Sequence, residues 1–430
     1  MDAVTGKNAP GALLVLVHFI AGGIYLLAAV LLLTLFPEML SGHYFSPKLL
    51  AVTHLLVLGW ITMIIFGALY QLVPVIFEVK LFSEGLGYAA FVFLLSGAVL
   101  LGYSFWNFEL GLLINVAGSA VVSAVILFTI LIYTTAMRSA KRGIERDFIM
   151  TALIWLLFTV VAGLLLAINL AHPFLEVSHV QLLKLHAHAG MIGWIFQLIM
   201  GVGSKLLPMF MISGNLSKGK LNWAYYFLNG GLISGIVCLY IGWSTGVMLS
   251  AIAALIGVSF FLAFIALAYR NRIRKKLDVM MKQSLLSFVT LIAPVVVLVT
   301  LFYKNPMEEH GAPALSVGYG VAIILGFITQ LIMGQTLKTL PFIVWLSVYR
   351  SRVGKEKTPL PKDLYSERLA ILQTWVYACG FAILMFGTII ANDFIIRIGA
   401  LTLILAVWIY NFNVLKVILH KPETDGTARI

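Results

Sequence analysis

Three long apolar stretches of this chain align on one another without a gap, and that regularity restricts the possible folds more than any other property of the sequence. Residues 54–74 read HLLVLGWITMIIFGALYQLVP, residues 188–208 read HAGMIGWIFQLIMGVGSKLLP, and residues 321–341 read VAIILGFITQLIMGQTLKTLP. Gly59, Gly193 and Gly326 match, then Trp60, Trp194 and Phe327, then Gly67, Gly201 and Gly334, and finally Pro74, Pro208 and Pro341. The offsets are 134 and 133 residues at every landmark. Paired glycines arise easily by chance in an apolar helix, but four landmarks at constant offsets point to an internal repeat. The units are then roughly 1–140, 141–278 and 279–430 of one continuous domain, 1–430, with no separate soluble part.

Apolar residues make up 61% of the 430 positions and charged residues 11%, more apolar than a water-soluble core of this size requires. The solvent for most of the chain is therefore lipid. A bilayer core takes about 20 apolar residues per helix, and such runs recur with short polar breaks between them. The expected spans are 11–36, 48–77, 86–106, 110–136, 148–170 and 181–210, then 222–243, 246–270, 284–303, 315–346, 368–390 and 394–418. The expected fold is all-α and integral to the membrane, with about twelve transmembrane helices in three repeats of four. A pseudo-threefold ring of these units places helices 2, 6 and 10 in equivalent inward positions. A blander reading also holds: glycines permit close helix packing and prolines end helices. The first run has only Lys7 as a basic lead and no small-residue cleavage site after it, so it reads as a retained helix.

The formal charge of +12 could suggest a nucleic-acid partner, but its distribution argues against one. Arg138, Lys141, Arg142 and Arg146 lie between helices 4 and 5, Lys218 and Lys220 between 6 and 7, a run from Arg270 to Lys282 between 8 and 9, and Arg350 to Lys362 between 10 and 11. These loops share one side with both termini, so the expectation is a multi-pass protein of the cell (inner) membrane with cytoplasmic N- and C-termini. Cys238 and Cys379 fall within spans and are not expected to pair.

The histidines carry the functional expectation. His54 of helix 2 maps onto His188 of helix 6 at the repeat offset, so the two imidazoles are expected at equal depth, meeting one metal from opposite sides. Two neutral nitrogens on one iron describe a bis-histidine, low-spin heme. His54 lies only about 9 Å into its span, within reach of an electron donor outside. His186 precedes His188 by two positions and projects to nearly the opposite side of the helix. The pair therefore suits a strut between two metal centres, with Ala187, Ala189, Gly190 and Gly193 leaving room for flat macrocycles; the equivalents of His186 are Val52 and Tyr319. Hydrogen-bonded histidines within a helix bundle are the plainer alternative. His43, His172, His179 and His310 are expected as outer-loop residues, His18 as a packed residue, His420 as an interfacial or tail residue, and Lys205 and Lys338 as side chains snorkelling to headgroups.

These helices resemble subunit I of the heme-copper oxidase superfamily. Helix 2, THLLVLGWITMIIFGALYQLVP, is similar to the second helix of nitric oxide reductases, and helix 6, HAHAGMIGWIFQLIMGVGSKLLP, to the HxH helix of C-type oxidases and nitric oxide reductases. The resemblance implies low-spin heme b on His54 and His188, with His186 as ligand of a second, reactive heme and hence the catalytic position. It also implies twelve helices in three arcs. The family places HxH on its tenth helix, whereas here it is on the sixth, and the copper of that family needs a histidine on helix 6 and an adjacent pair on helix 7. Helix 7 here has none, so copper is not expected. The chain also resembles, on fewer motifs, heme-containing twelve-helix proteins linked to nitric oxide response.

Three functions remain open on these grounds. One is a redox subunit that receives electrons from cytochrome c, a quinol or a partner subunit and reduces oxygen or nitric oxide. Another is a heme-dependent nitric oxide or oxygen response protein without turnover. The third is a twelve-helix transporter, against which threefold repetition argues because transporter repeats are usually twofold.

Overall fold

The computed structural model describes residues 8–214, 216–303 and 313–422; Lys7 and His310 lie outside them. Eleven helices among the described residues are long and apolar enough to cross a membrane: α1 (Ala12–Leu35), α2 (Pro47–Phe77), α3 (Glu84–Asn107), α4 (Leu112–Met137), α5 (Ile144–Ala171), α6 (His179–Met211), α8 (Ser244–Arg270), α9 (Val279–Tyr303), α10 (Pro313–Tyr349), α11 (Glu367–Ile389) and α12 (Asp393–Ile418). Between α6 and α8 runs α7 (Gly219–Tyr240), 22 residues long. It matches the seventh expected span in position and length. Its lower apolarity has a local cause, because it carries polar residues toward its neighbours: Asn229 exchanges hydrogen bonds with Gln197 at 3.2 Å, and Tyr225 bonds Thr151 at 2.7 Å. The chain is a multi-pass membrane protein in which α2, α6 and α10 are the longest of these helices, and α2 and α10 the most enclosed.

Each of these three helices contains a π-helical stretch, at Leu55–Thr62, Ala189–Phe196 and Ala322–Thr329. The stretches begin one residue after His54, His188 and Val321, so the repeat spacing read from sequence recurs in the backbone. A π-turn pairs each N–H one residue further back and leaves carbonyls looking for donors, which is why such turns concentrate where a helix does chemical work. In α10 those donors are hydroxyls: Thr290 Oγ1 donates to Gly326 O at 2.9 Å, and Tyr377 Oη to Leu325 O at 2.8 Å.

The glycines of the repeat set how closely helices approach. A Cβ at Gly67 would lie 3.3 Å from Val15 O, one at Gly201 3.3 Å from Glu145 O, and one at Gly334 3.1 Å from Met280 O. In each unit the first helix thus lies directly against the second, as small-residue interfaces permit. The prolines do not end these helices: α2 and α6 each run three residues past Pro74 and Pro208, and α10 continues to Tyr349. Termination comes instead at left-handed residues in equivalent positions, Glu78 (φ 58°) and Ile212 (φ 51°).

The three central aromatics close the helices into a ring. Trp60 Nε1 donates to Thr329 Oγ1 at 3.2 Å and its ring meets Tyr410 edge-on at 5.8 Å. Trp194 meets Phe128 at 6.3 Å, and Phe327 meets Phe196 at 5.0 Å. Each ring therefore touches the preceding unit in cyclic order, first to third, second to first, third to second. Asn411 Nδ2, donating to Gly23 O at 3.0 Å, joins α12 back to α1.

At the end carrying the basic loops, Lys338 does not snorkel outward as expected. Its ammonium pairs with Asp278, the N-cap of α9, and both side chains are largely buried. Lys205, its equivalent, is exposed. The difference follows from the partner: α9 brings a carboxylate to the base of α10. From that pair a polar file climbs the α9–α10 interface through Gln335 Nε2 to Ser284 Oγ (2.7 Å), Ser287, and Thr290 to Gly326 O.

Candidate heme site

Five imidazoles lie within membrane-spanning helices on described residues, and four of them set Nδ1 against a backbone carbonyl, His18 against Leu14 O at 2.7 Å among them. His54 Nδ1 lies 2.7 Å from Leu50 O, His188 Nδ1 2.8 Å from Lys184 O, and His186 Nδ1 3.0 Å from Thr159 O of α5. A carbonyl can only accept, so Nδ1 carries the proton in each ring and Nε2 keeps its lone pair. That arrangement fixes tautomer and orientation in metal-ligating histidines. Room for the His186 ring comes from Gly163, where a Cβ would lie 2.8 Å from its Cε1. The His54 ring stacks on Phe105 with centroids 4.8 Å apart and planes 26° apart.

His188 opens onto a cavity of about 430 Å³ between the helices, walled by Val52, Thr53, Ala187, Met191, Tyr319 and Ile323 among others. Its size is that of a small-molecule or cofactor site, and its lining is largely apolar. The rings of His54, His186 and His188 lie deep in the protein yet keep accessible surface, so they face internal space and not bulk solvent.

His188 stacks on Tyr319 of α10, with ring centroids 6.1 Å apart and planes 25° apart, while His186 packs against Thr159 and Gly163 of α5. By the repeat offsets His188 corresponds to His54, and Tyr319 to His186. The remaining repeat equivalents, Val321 for His188 and Val52 for His186, carry no ligating side-chain atom.

The other histidines are held elsewhere. His18 is fully buried against Tyr70 and Phe91, and its Nε2 has no partner. His420 Nε2 bonds Tyr349 Oη at 2.7 Å, His43 stacks on Tyr44, and His179 begins α6 beside Phe45 and Asn169. His172 caps the end of α5. No cluster of three or more His, Cys, Asp or Glu side chains able to hold a bare metal ion occurs among the described residues. Tyr319 was seen in the sequence only as a non-histidine equivalent; the signal for it was the repeat offset, applied to His186 as well as to His54.

These features fit heme: anchored imidazoles with free Nε2 atoms, apolar walls, and internal space beside an exposed Ala187. No protein family and no curated protein matches the sequence. In three dimensions the chain is similar to one from a cryo-EM structure of a heme-copper terminal oxidase dimer, with a TM-score of 0.64 over 96% of this chain and 85% of that one. The fold is that of a heme-copper oxidase chain. Sequence identity is 10%, so the likeness extends to helix arrangement and not to individual side chains.

Proposed function

We propose that this chain is a heme-binding redox protein of the cell (inner) membrane, with its termini in the cytoplasm, and that low-spin heme b sits between His54 and His186. The observation that carries this reading is the correspondence of the His188–Tyr319 pair, 6.1 Å apart, with His54 and His186 at the repeat offsets. His188 then stands free on the cavity between α6 and α10. In this assignment the low-spin role first expected of His188 passes to His186.

Bound between two imidazoles, heme supplies a one-electron couple. The chain's part is to fix ligands and exclude water. Leu50 O and Thr159 O hold the protons on Nδ1, Phe105 covers one ring, and Gly163 accommodates the other. The shallow depth of His54, on the end opposite the basic loops, suits an electron donor such as cytochrome c, a quinol or a partner subunit. The three repeats of four, near 1–140, 141–278 and 279–430, place these interfaces around one axis.

Purified protein tests this directly. A low-spin heme b spectrum is expected, and a colourless protein with intact helices overturns it. Oxygen or nitric oxide consumption with a reduced donor then separates a reductase from a response protein without turnover, and absence of heme with substrate uptake into vesicles points to the transporter.

A further inference from the structure

We infer that the cavity between α6 and α10 is a binding site for a lipophilic hydroquinone, drawn from the bilayer and held by hydrogen bonds to His188 and Tyr319; this goes beyond the heme reading of His54 and His186 and does not depend on it. Tyr319 lines the cavity beside His188, and no hydrogen bond reaches its hydroxyl from the described residues. His188 directs its Nδ1 proton to Lys184 O, which leaves Nε2 an acceptor without a donor. Both side chains lie deep among the spanning helices, and both keep surface on the cavity. A bare acceptor and a bare hydroxyl in an apolar interior are costly, so a molecule that offers an O–H to one and an oxygen to the other is expected there.

The walls show where that molecule comes from. Ala251 and Leu255 of α8 and Val295 and Leu298 of α9 also line the cavity, and next to them Ile252 and Val296 are exposed on the apolar outer surface of the bundle. The outer half of α9, Ile292–Tyr303, packs on α10, so the cavity meets the lipid between α8 and α9. His188 is the tenth residue of α6, about 14 Å from its start. A phospholipid cannot bring its charged head to that depth without a large desolvation cost, whereas a molecule whose polar groups are one or two hydroxyls can. Among such molecules a hydroquinone fits the donor set. Each of its hydroxyls both donates and accepts, which satisfies Nε2 and Oη alike, and its flat ring suits a wall that includes Tyr44, Phe196 and Phe302.

The test uses the full-length protein in detergent with decylubiquinol as the probe, followed by equilibrium binding and by melting temperature. Saturable binding of one probe per protein is expected, with a rise in melting temperature. Tyr319→Phe and His188→Leu should each weaken binding by about tenfold, the loss of one hydrogen bond, while the melting temperature without probe stays near that of the parent. Ala251→Trp, which fills the cavity from the α8 side, is expected to abolish binding. Dodecanol, with one hydroxyl and no ring, should bind more weakly. Partitioning of the probe without saturation, equal binding of dodecanol, or an affinity unchanged in both polar variants overturns the inference. Binding is read without reference to heme content, so its failure is distinct from failure of the site at His54 and His186.

Discussion

His188 stacks on Tyr319 across the α6–α10 interface, and these two residues are the repeat equivalents of His54 and His186. The repeat offsets thus relate the ring pair of α6 and α10 to the two histidines that α2 and α6 carry.

Gly163 is expected to be as necessary to the first site as its histidines. A Cβ there would lie 2.8 Å from His186 Cε1 and 3.4 Å from Nδ1. Gly163→Val should tilt the imidazole off Thr159 O and lower the low-spin heme content to well under half, with helix content by circular dichroism retained. Undiminished heme content contradicts this role.

The close approach at Gly334 should be a stability determinant. Its Cβ position is 3.1 Å from Met280 O and 3.2 Å from Ser284 N, backbone atoms that cannot move aside cheaply. Gly334→Ala is expected to cost about 1–3 kcal/mol, the usual range for overpacking. Gly230→Ala, in a helix position with nothing nearby, should be neutral or slightly stabilising. Thermal unfolding of both variants in detergent checks the contrast.

Asp278 links stability to pH. Burial alone would raise its carboxyl, but the hydrogen bond and charge of Lys338, the Met281 N–H and Arg274 outweigh it, and the group is held below the ordinary aspartate range. A depressed carboxyl contributes stability that is present above its unfolded value, about 3.9, and is lost as pH falls through the folded value. Lys338→Met should cost about 1–3 kcal/mol near neutrality and shrink the part of the stability that acid removes through Asp278, so that the two proteins converge at low pH. Melting temperature followed as a function of pH in both proteins measures this, and superimposable curves would count against the pair.

Much of the architecture was legible because lipid imposes it. Spans, repeat spacing and the special status of α2, α6 and α10 follow from apolar run lengths and constant offsets, and the π-helical stretches fall on the same register. What sequence could not give was the direction of side chains around each helix. Equivalence of His54 and His188 was legible at the repeat offset, whereas the stacking of His188 on Tyr319 was not. Lys338 was hidden for a similar reason: its partner Asp278 lies 60 positions away in the chain and is brought near only by α9 packing on α10.

The most direct measurement is the low-spin heme signal, by electron paramagnetic resonance and optical spectroscopy, in His186→Ala beside His188→Ala. Pairing of His54 with His186 requires that the signal disappear in His186→Ala, as in His54→Ala, and survive in His188→Ala. Loss in His188→Ala with survival in His186→Ala would contradict the account and restore the pairing of His54 with His188.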